Sequence, residues 1–108
     1  MSVITVQLDL QNNLSYIIRT DGEFVPAMPD DDQFSPEQIT DHVGGPPEVV
    51  CFTAEGYALF RNRDAKSSAL PRNDAATLLQ QSVSGSDDIL GRALLAHPNH
   101  IPGFWKSR

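Results

Sequence analysis

The chain has 108 residues, enough for one domain and too few for two ordinary ones. With 40% hydrophobic and 20% charged residues it lies near the globular average, which excludes a disordered or fibrous chain. Fourteen Asp and Glu against eight Lys and Arg give a net charge of −6, so the surplus of cations on which nonspecific nucleic-acid binding depends is missing. Cys51 is the only cysteine, which excludes an internal disulfide or a multi-cysteine zinc site and fits a reducing compartment. Met1 to Leu10 lacks the basic start and apolar core of a secretory signal, and no apolar run approaches the ~20 residues that span a bilayer. A cytoplasmic protein without membrane contact is expected.

Residues 3–10 (VITVQLDL) alternate apolar and polar, with Ile4, Val6, Leu8 and Leu10 on one face, the period of a half-buried strand. Gln11-Asn12-Asn13 is a turn, and Leu14 to Arg19 reads as a second strand. Asp21-Gly22 is a tight-turn dipeptide, after which Glu23 to Met28 forms a third strand cut by Pro26 and Pro29. The acidic loop holding Asp30, Asp31 and Asp32 lacks the alternating ligands and central glycine of a calcium loop, so no metal is expected there. Ser35-Pro36-Glu37-Gln38 then spells a capping box with proline at the first helical position, flanked by Phe34 and Ile39 at hydrophobic-staple spacing. The helix is short and stops at Gly44-Gly45.

Pro46-Pro47 forces an extended exit into a strand from Glu48 to Thr53, and Glu55-Gly56 turns it back into Tyr57 to Arg61. Arg61 to Ala69 is polar and reads as a loop. Asn73 or Asp74 caps a second helix from Ala75 to about Val83, with Leu78, Leu79 and Val83 at helical spacing, ended by Gly85. Ile89 to Ala96 is a last strand, and residues 97–108 lack periodicity and read as a tail beyond a domain of residues 1–96. Five to six short strands and two short helices predict an α+β domain: a mostly antiparallel sheet with both helices on one face.

The segments YIIRTDG (16–22), FSPEQITDHVGGPPEVV (34–50), LPRNDAAT (70–77) and DDILGRALL (87–95) follow one another in an order and spacing that resembles a family of small bacterial and phage proteins without an assigned activity. The resemblance implies an accessory role of phage or mobile-element type and supplies no catalytic residues. Pro46-Pro47 depart from the aromatic or apolar residue that usually follows the two glycines in that family. The strand at 3–10 and the end bearing Trp105 are also atypical of it.

Among the chemistry-bearing residues, most have a structural explanation. Cys51 lies within VVCFT, where a small thiol packs like a hydrophobe. His97 and His100 lack partners at ligand spacing, and His42 sits in the last turn of a helix, where positive charge suits the dipole. Serines 82, 84 and 86 have no nucleophile elbow around them. Glu48, at the mouth of a strand, is placed either to accept from the amides of the Gly44-Gly45 turn or to bind a ligand amine. Arg61, Arg63, Lys66 and Arg72 are four of the eight cations and run straight into Asn73, at the start of a helix. Free amides at a helix N-terminus beside arginines can hold phosphate or carboxylate oxygens.

The expected candidate site is therefore Arg61, Arg63, Arg72, Asn73, Gly44, Gly45 and Glu48, with an anionic small molecule or an acidic protein partner as ligand and neither cofactor nor metal. The expected function is a non-enzymatic binding or interaction protein. The alternative is an assembly module that self-associates through a sheet edge or through Phe104 and Trp105, and an enzyme would require an acid-base pair or cofactor motif that the sequence does not display.

Overall fold

The computed structural model describes residues 14–83 and 88–103. The expected strand at 3–10, the stop at Gly85 and the Phe104-Trp105 end lie outside the described residues. Within them run β1 (Ser15–Ile18), β2 (Phe24–Ala27), α1 (Pro36–Val43), β3 (Pro47–Phe52), β4 (Ala58–Asn62), α2 (Asp74–Val83) and β5 (Ala93–Ala96). The five strands form one antiparallel sheet in the order β2-β1-β5-β4-β3, against which both helices pack. This is the α+β class expected. The Asp21-Gly22 turn joins β1 to β2, and Glu55-Gly56 joins β3 to β4. β5 comes last in the chain but inserts at the centre, between the two hairpins.

The helices cover opposite faces, not one. Neighbouring strand residues point to opposite sides of a sheet. Leu59 and Leu95 join Ile18, Cys51 and Ala93 in a core with Ala75 and Ala76 of α2. Phe60 and Leu94 join Ala58 and Ala96 in a second core with Phe34 and with Ile39 and Val43 of α1. The reason lies in β4 and β5: ALF and ALLA are apolar at consecutive positions, so these central strands need cover on both sides. A register shift between Val49 and Cys51 puts Val50 and Cys51 on the same side, toward the α2 core.

The first helix forms as its sequence dictates. Ser35 Oγ accepts from the Gln38 amide at 3.1 Å while Gln38 Oε1 accepts from the Ser35 amide at 3.1 Å. Phe34 and Ile39 are buried in the same cluster, as a staple requires. Gly44 (φ 83°) ends the helix in the left-handed conformation, with its amide donating to Thr40 O at 2.8 Å. The next glycine is required for a different reason. A Cβ on Gly45 would stand 2.5–2.7 Å from the side-chain amide of Asn62. Asn62 is itself fixed, donating to Gly44 O at 3.2 Å and accepting from the Asp64 amide at 2.9 Å.

The second helix is organised by Asn73, which is fully buried. Its Nδ2 donates to Ile18 O (2.8 Å) and Gly91 O (2.9 Å), and its Oδ1 accepts from the Ala76 amide (3.1 Å). Its own amide donates to Ile89 O at 2.7 Å, Ile89 N donates to Thr77 Oγ1 at 2.9 Å, and Arg72 bridges to Leu90. The LPRN and DILG motifs are thus two sides of one clamp. This fixes which side of α2 faces inward: Ala75, Ala76, Thr77 and Gln80 are buried, Leu79 packs partly, and Leu78 stays 45% exposed. The Leu78, Leu79 and Val83 spacing is therefore not the buried stripe, because the cap, rather than the leucines, sets the rotation of the helix. The clamp also shortens the last strand, since residues 88–92 serve it and only Ala93–Ala96 pair as β5.

Chain beyond β5 that the sequence pattern assigned to a tail is packed into the domain. His97, His100 and Ile101 are buried around a 3-10 turn at Pro98–His100, and the Phe34 amide donates to His100 O at 2.9 Å. A segment this short has no periodicity to display, so burial had no pattern through which to show.

Replacing Asn73 by Ala strands two buried carbonyls and removes the helix cap. A loss of roughly 2–4 kcal/mol is expected in urea denaturation, and a change below about 1 kcal/mol would refute the clamp. Gly45→Ala is expected to cost about 1–2 kcal/mol through collision with Asn62. That penalty should shrink in an Asn62→Ala background, and strict additivity of the two substitutions would contradict the contact.

Candidate functional site

The end of β4 and the loop after it bring Arg61, Arg63 and Lys66 to one surface. Arg61, Asn62, Arg63, Ala65 and Lys66 line an open cleft of about 280 Å³, with Asp88 and Leu90 opposite. Asn62 positions it: the accepted Asp64 amide starts the turn, and Ala65 N donates to Asn62 O at 3.2 Å. Ala65 is buried beneath the loop, so Arg63 and Lys66 on either side of it project outward and are exposed. Neither side chain makes an ion pair with a described residue.

The expected site residues separate into two groups. Arg61, Arg63 and Lys66 converge, as the sequence clustering suggested. Glu48 is partnered to Arg61 across the hairpin (Nε to Oε2, 2.8 Å), not to the amides of the Gly44-Gly45 turn. Such cross-strand pairs contribute roughly 0.2–1 kcal/mol. The Gly44 and Gly45 amides both donate to Thr40 O, so they belong to the end of α1 and not to a ligand. Arg72 turns to Asp74 (3.3 Å) and Asp88 (3.6 Å). Asn73 is sealed in the interior, and the start of α2 is occupied by its cap and by Asp74. Asn62 is the residue that sequence reasoning missed; an asparagine closing a strand before a polar loop was its one visible signal.

A second groove adjoins the first. It runs along the outer side of β3, has a volume of about 480 Å³, and is lined by Pro47 to Phe52 and by Arg63. Arg63 is common to both depressions. Cys51 lies in this strand, and burial pushes its thiol pKa up, so it stays protonated at neutral pH.

The pair with the outline of nucleophile and base lies elsewhere. Ser15 Oγ is 2.7 Å from His100 Nδ1, two residues 85 positions apart in sequence. Ser15 is 0% exposed and its Oγ also accepts from the His97 amide at 2.8 Å, so substrate cannot reach it. His97 Nδ1 accepts from the Asn99 amide at 3.0 Å. His100 stacks edge-on against Phe34, whose other contact is His42, and His97 packs edge-on against Tyr57. These histidines thus pack against the aromatic side chains of the core. Burial lowers the His100 pKa, helped by His97 beside it. Burial also lowers that of His42, with Asp41 and Asp30 opposing and Arg92 assisting. The helix-end placement expected to favour a charged His42 is outweighed by that burial.

Because both imidazoles bind protons less readily folded than unfolded, the unfolded chain takes up the extra protons as acid is added. Stability is full above the ordinary imidazole pKa of 6.5 and falls as pH drops from there through the lowered folded values. Urea midpoints at pH 8 and pH 5 should differ accordingly, and the His100→Gln variant should lose part of that difference. Equal slopes in the two proteins would remove His100 from the account.

Comparison with family models, with curated proteins and with solved structures found no match to this chain. The likeness noted for the VGG, LPRN and DILG segments rests on those motifs alone, and the geometry carries the functional reading. No helix among the described residues is long and apolar enough to cross a membrane.

Proposed function

We propose that this chain is a small, non-enzymatic interaction protein that holds an acidic group of a protein partner in the cleft formed by Arg61, Arg63 and Lys66. The observation that carries the reading is the convergence of these cations, two of them exposed, on a chain of net charge −6. Cations gathered on one surface of an acidic chain steer an acidic partner there. The open, side-chain-lined shape suits a carboxylate carried by a larger molecule. The enclosed cradle that a small anion would need loses its amide donors, since Gly44, Gly45 and Asn73 are committed to the fold. Burial of the Ser15–His100 pair supports a binding role over catalysis. A free, buried thiol fits a cytoplasmic setting, where an accessory role of the kind the motif resemblance implies would be exercised.

The test is a titration with an oligoglutamate peptide followed by amide and side-chain NMR shifts. Arg63 and Lys66 should move first, the effect should weaken with salt, and the Arg63→Ala/Lys66→Ala double variant should lose it. Arg19→Ala, at the β1–β2 hairpin and already paired with Asp21, should bind as the parent does. Equal losses in the Arg19 variant and the double variant would reduce the effect to diffuse charge and end the proposal.

A further inference from the structure

The two edges of the sheet differ in what they offer another strand. On β2, the Arg19 amide donates to Glu23 O at 2.9 Å, which sets the hydrogen-bonding parity of the hairpin. The register then turns Val25 and Ala27 toward β1 and leaves Phe24 and Pro26 facing out. Proline has no N–H, so this short edge retains a single outward donor, at Phe24. It is blunted in the way natural edges commonly are.

β3 is different. Arg63 N donates to Pro46 O and Thr53 N donates to Tyr57 O, each at 2.8 Å, fixing the parity at both ends of the strand. With the register shift between them, Glu48 and Cys51 turn toward β4, while Val49 and Phe52 direct their N–H and C=O groups outward. Among the described residues no strand pairs with that edge. Val49, Val50 and Phe52 are partly buried, Val49 and Phe52 against the α1-side core and Val50 against the α2-side core. An added strand would therefore find apolar neighbours on both faces. The groove of about 480 Å³ follows this same edge and ends at Arg63, which also lines the cationic cleft.

We propose that the outer edge of β3 receives an extended segment of a partner protein as an added antiparallel strand, with the segment's acidic C-terminal end beside Arg63 and Lys66. The orientation follows from position. Arg63 lies opposite Pro46, at the start of β3, and in antiparallel pairing the start of one strand meets the end of the other. Main-chain hydrogen bonds from Val49 and Phe52 supply affinity without side-chain specificity, and the cationic end selects acidic segments. The inference rests on the acidic-group reading of the cleft and names the partner's conformation and direction.

The probe is a synthetic, N-acetylated peptide of alternating valine and threonine ending in two glutamates, about seven residues long to match the six residues of β3. Hydrogen exchange at the Val49 and Phe52 amides should slow on binding, and the fluorescein-labelled peptide should bind Arg63→Ala at least about tenfold more weakly. Val49→Pro, tolerable at an edge position, should weaken binding without changing the response to oligoglutamate. The same peptide N-methylated at alternate residues probes the strand contact without altering the protein, and should bind as poorly.

If Arg63 and Lys66 respond to both peptides while exchange at Val49 and Phe52 is unchanged, strand addition is overturned and the acidic-group reading stands. If neither peptide shifts any of these residues, both fall. Protection of Val49 and Phe52 that grows with protein concentration, without peptide, would assign the edge to a second copy of this chain and overturn the proposal as well.

Discussion

Three hydrogen bonds at the buried side chain of Asn73 connect three parts of the chain that are far apart in sequence. They reach Ile18 O at the end of β1, Gly91 O ahead of β5, and the Ala76 amide in the first turn of α2. In a low-dielectric interior these groups have no water to fall back on, so each carbonyl left unpaired carries a desolvation penalty of roughly 1–3 kcal/mol. The consequences spread outward from this point. α2 is rotated so that alanines face the sheet and Leu78 does not, residues 88–92 are drawn along the start of that helix, and β5 is delivered into the gap between the hairpins. Gly91 belongs to the same arrangement: its φ of 76° and the packing of Leu70 at 2.8 Å from a would-be Cβ leave no room for another residue.

Once β5 is central, the remaining geometry is constrained. A strand apolar on both faces requires a cover on each, and the two helices take one face apiece. The hairpins are pushed to the periphery, so β2 and β3 become the edges, and each carries a proline. Pro26 falls at an outward position in the middle of its short strand, whereas Pro47 falls at the start of β3 and leaves Val49 and Phe52 available. The position of the proposed binding surface thus follows from topology. The β3 edge, unpaired among the described residues, and the cationic cleft adjoin because the loop after β4 meets the start of β3.

The α1-side core is closed by polar groups as much as by apolar ones. Ser15, His97 and His100 form a buried set with complementary donors and acceptors, and the rings of Phe34, His42 and His100 pack edge to face. Such a set binds the chain after β5 to β1 and to the entrance of α1. Burial works against the charging of His100 and His42, so this corner responds to acid.

Local chemistry was legible in the sequence wherever a short-range rule applies. The capping box at Ser35, the stop at Gly44, the two hairpins at Gly22 and Gly56, and the α+β class all follow from contacts within a few residues. The clustering of Arg61, Arg63 and Lys66 was legible for the same reason, since neighbours on a short loop stay neighbours in space. The capping of α2 by Asn73 was legible too, but its ties to Ile18 and Gly91 and the roles of Glu48 and Gly45 were not, because those partners are remote: Ile18 is 55 positions from Asn73, Arg61 is 13 from Glu48, and Asn62 meets Gly45 only when the β3–β4 hairpin closes. The placement of one helix per face, the central position of β5 and the burial of His97 to Ile101 likewise depend on long-range pairing. The sequence by itself determined the two hairpin turns, the start and stop of α1 and the clustering of the cationic loop, because those are set by backbone propensity and nearest-neighbour hydrogen bonds. Only the tertiary structure decided which polar side chains are buried, which edge is open and which cations face solvent, because the free energy of burying a polar group depends on a partner supplied from elsewhere in the fold.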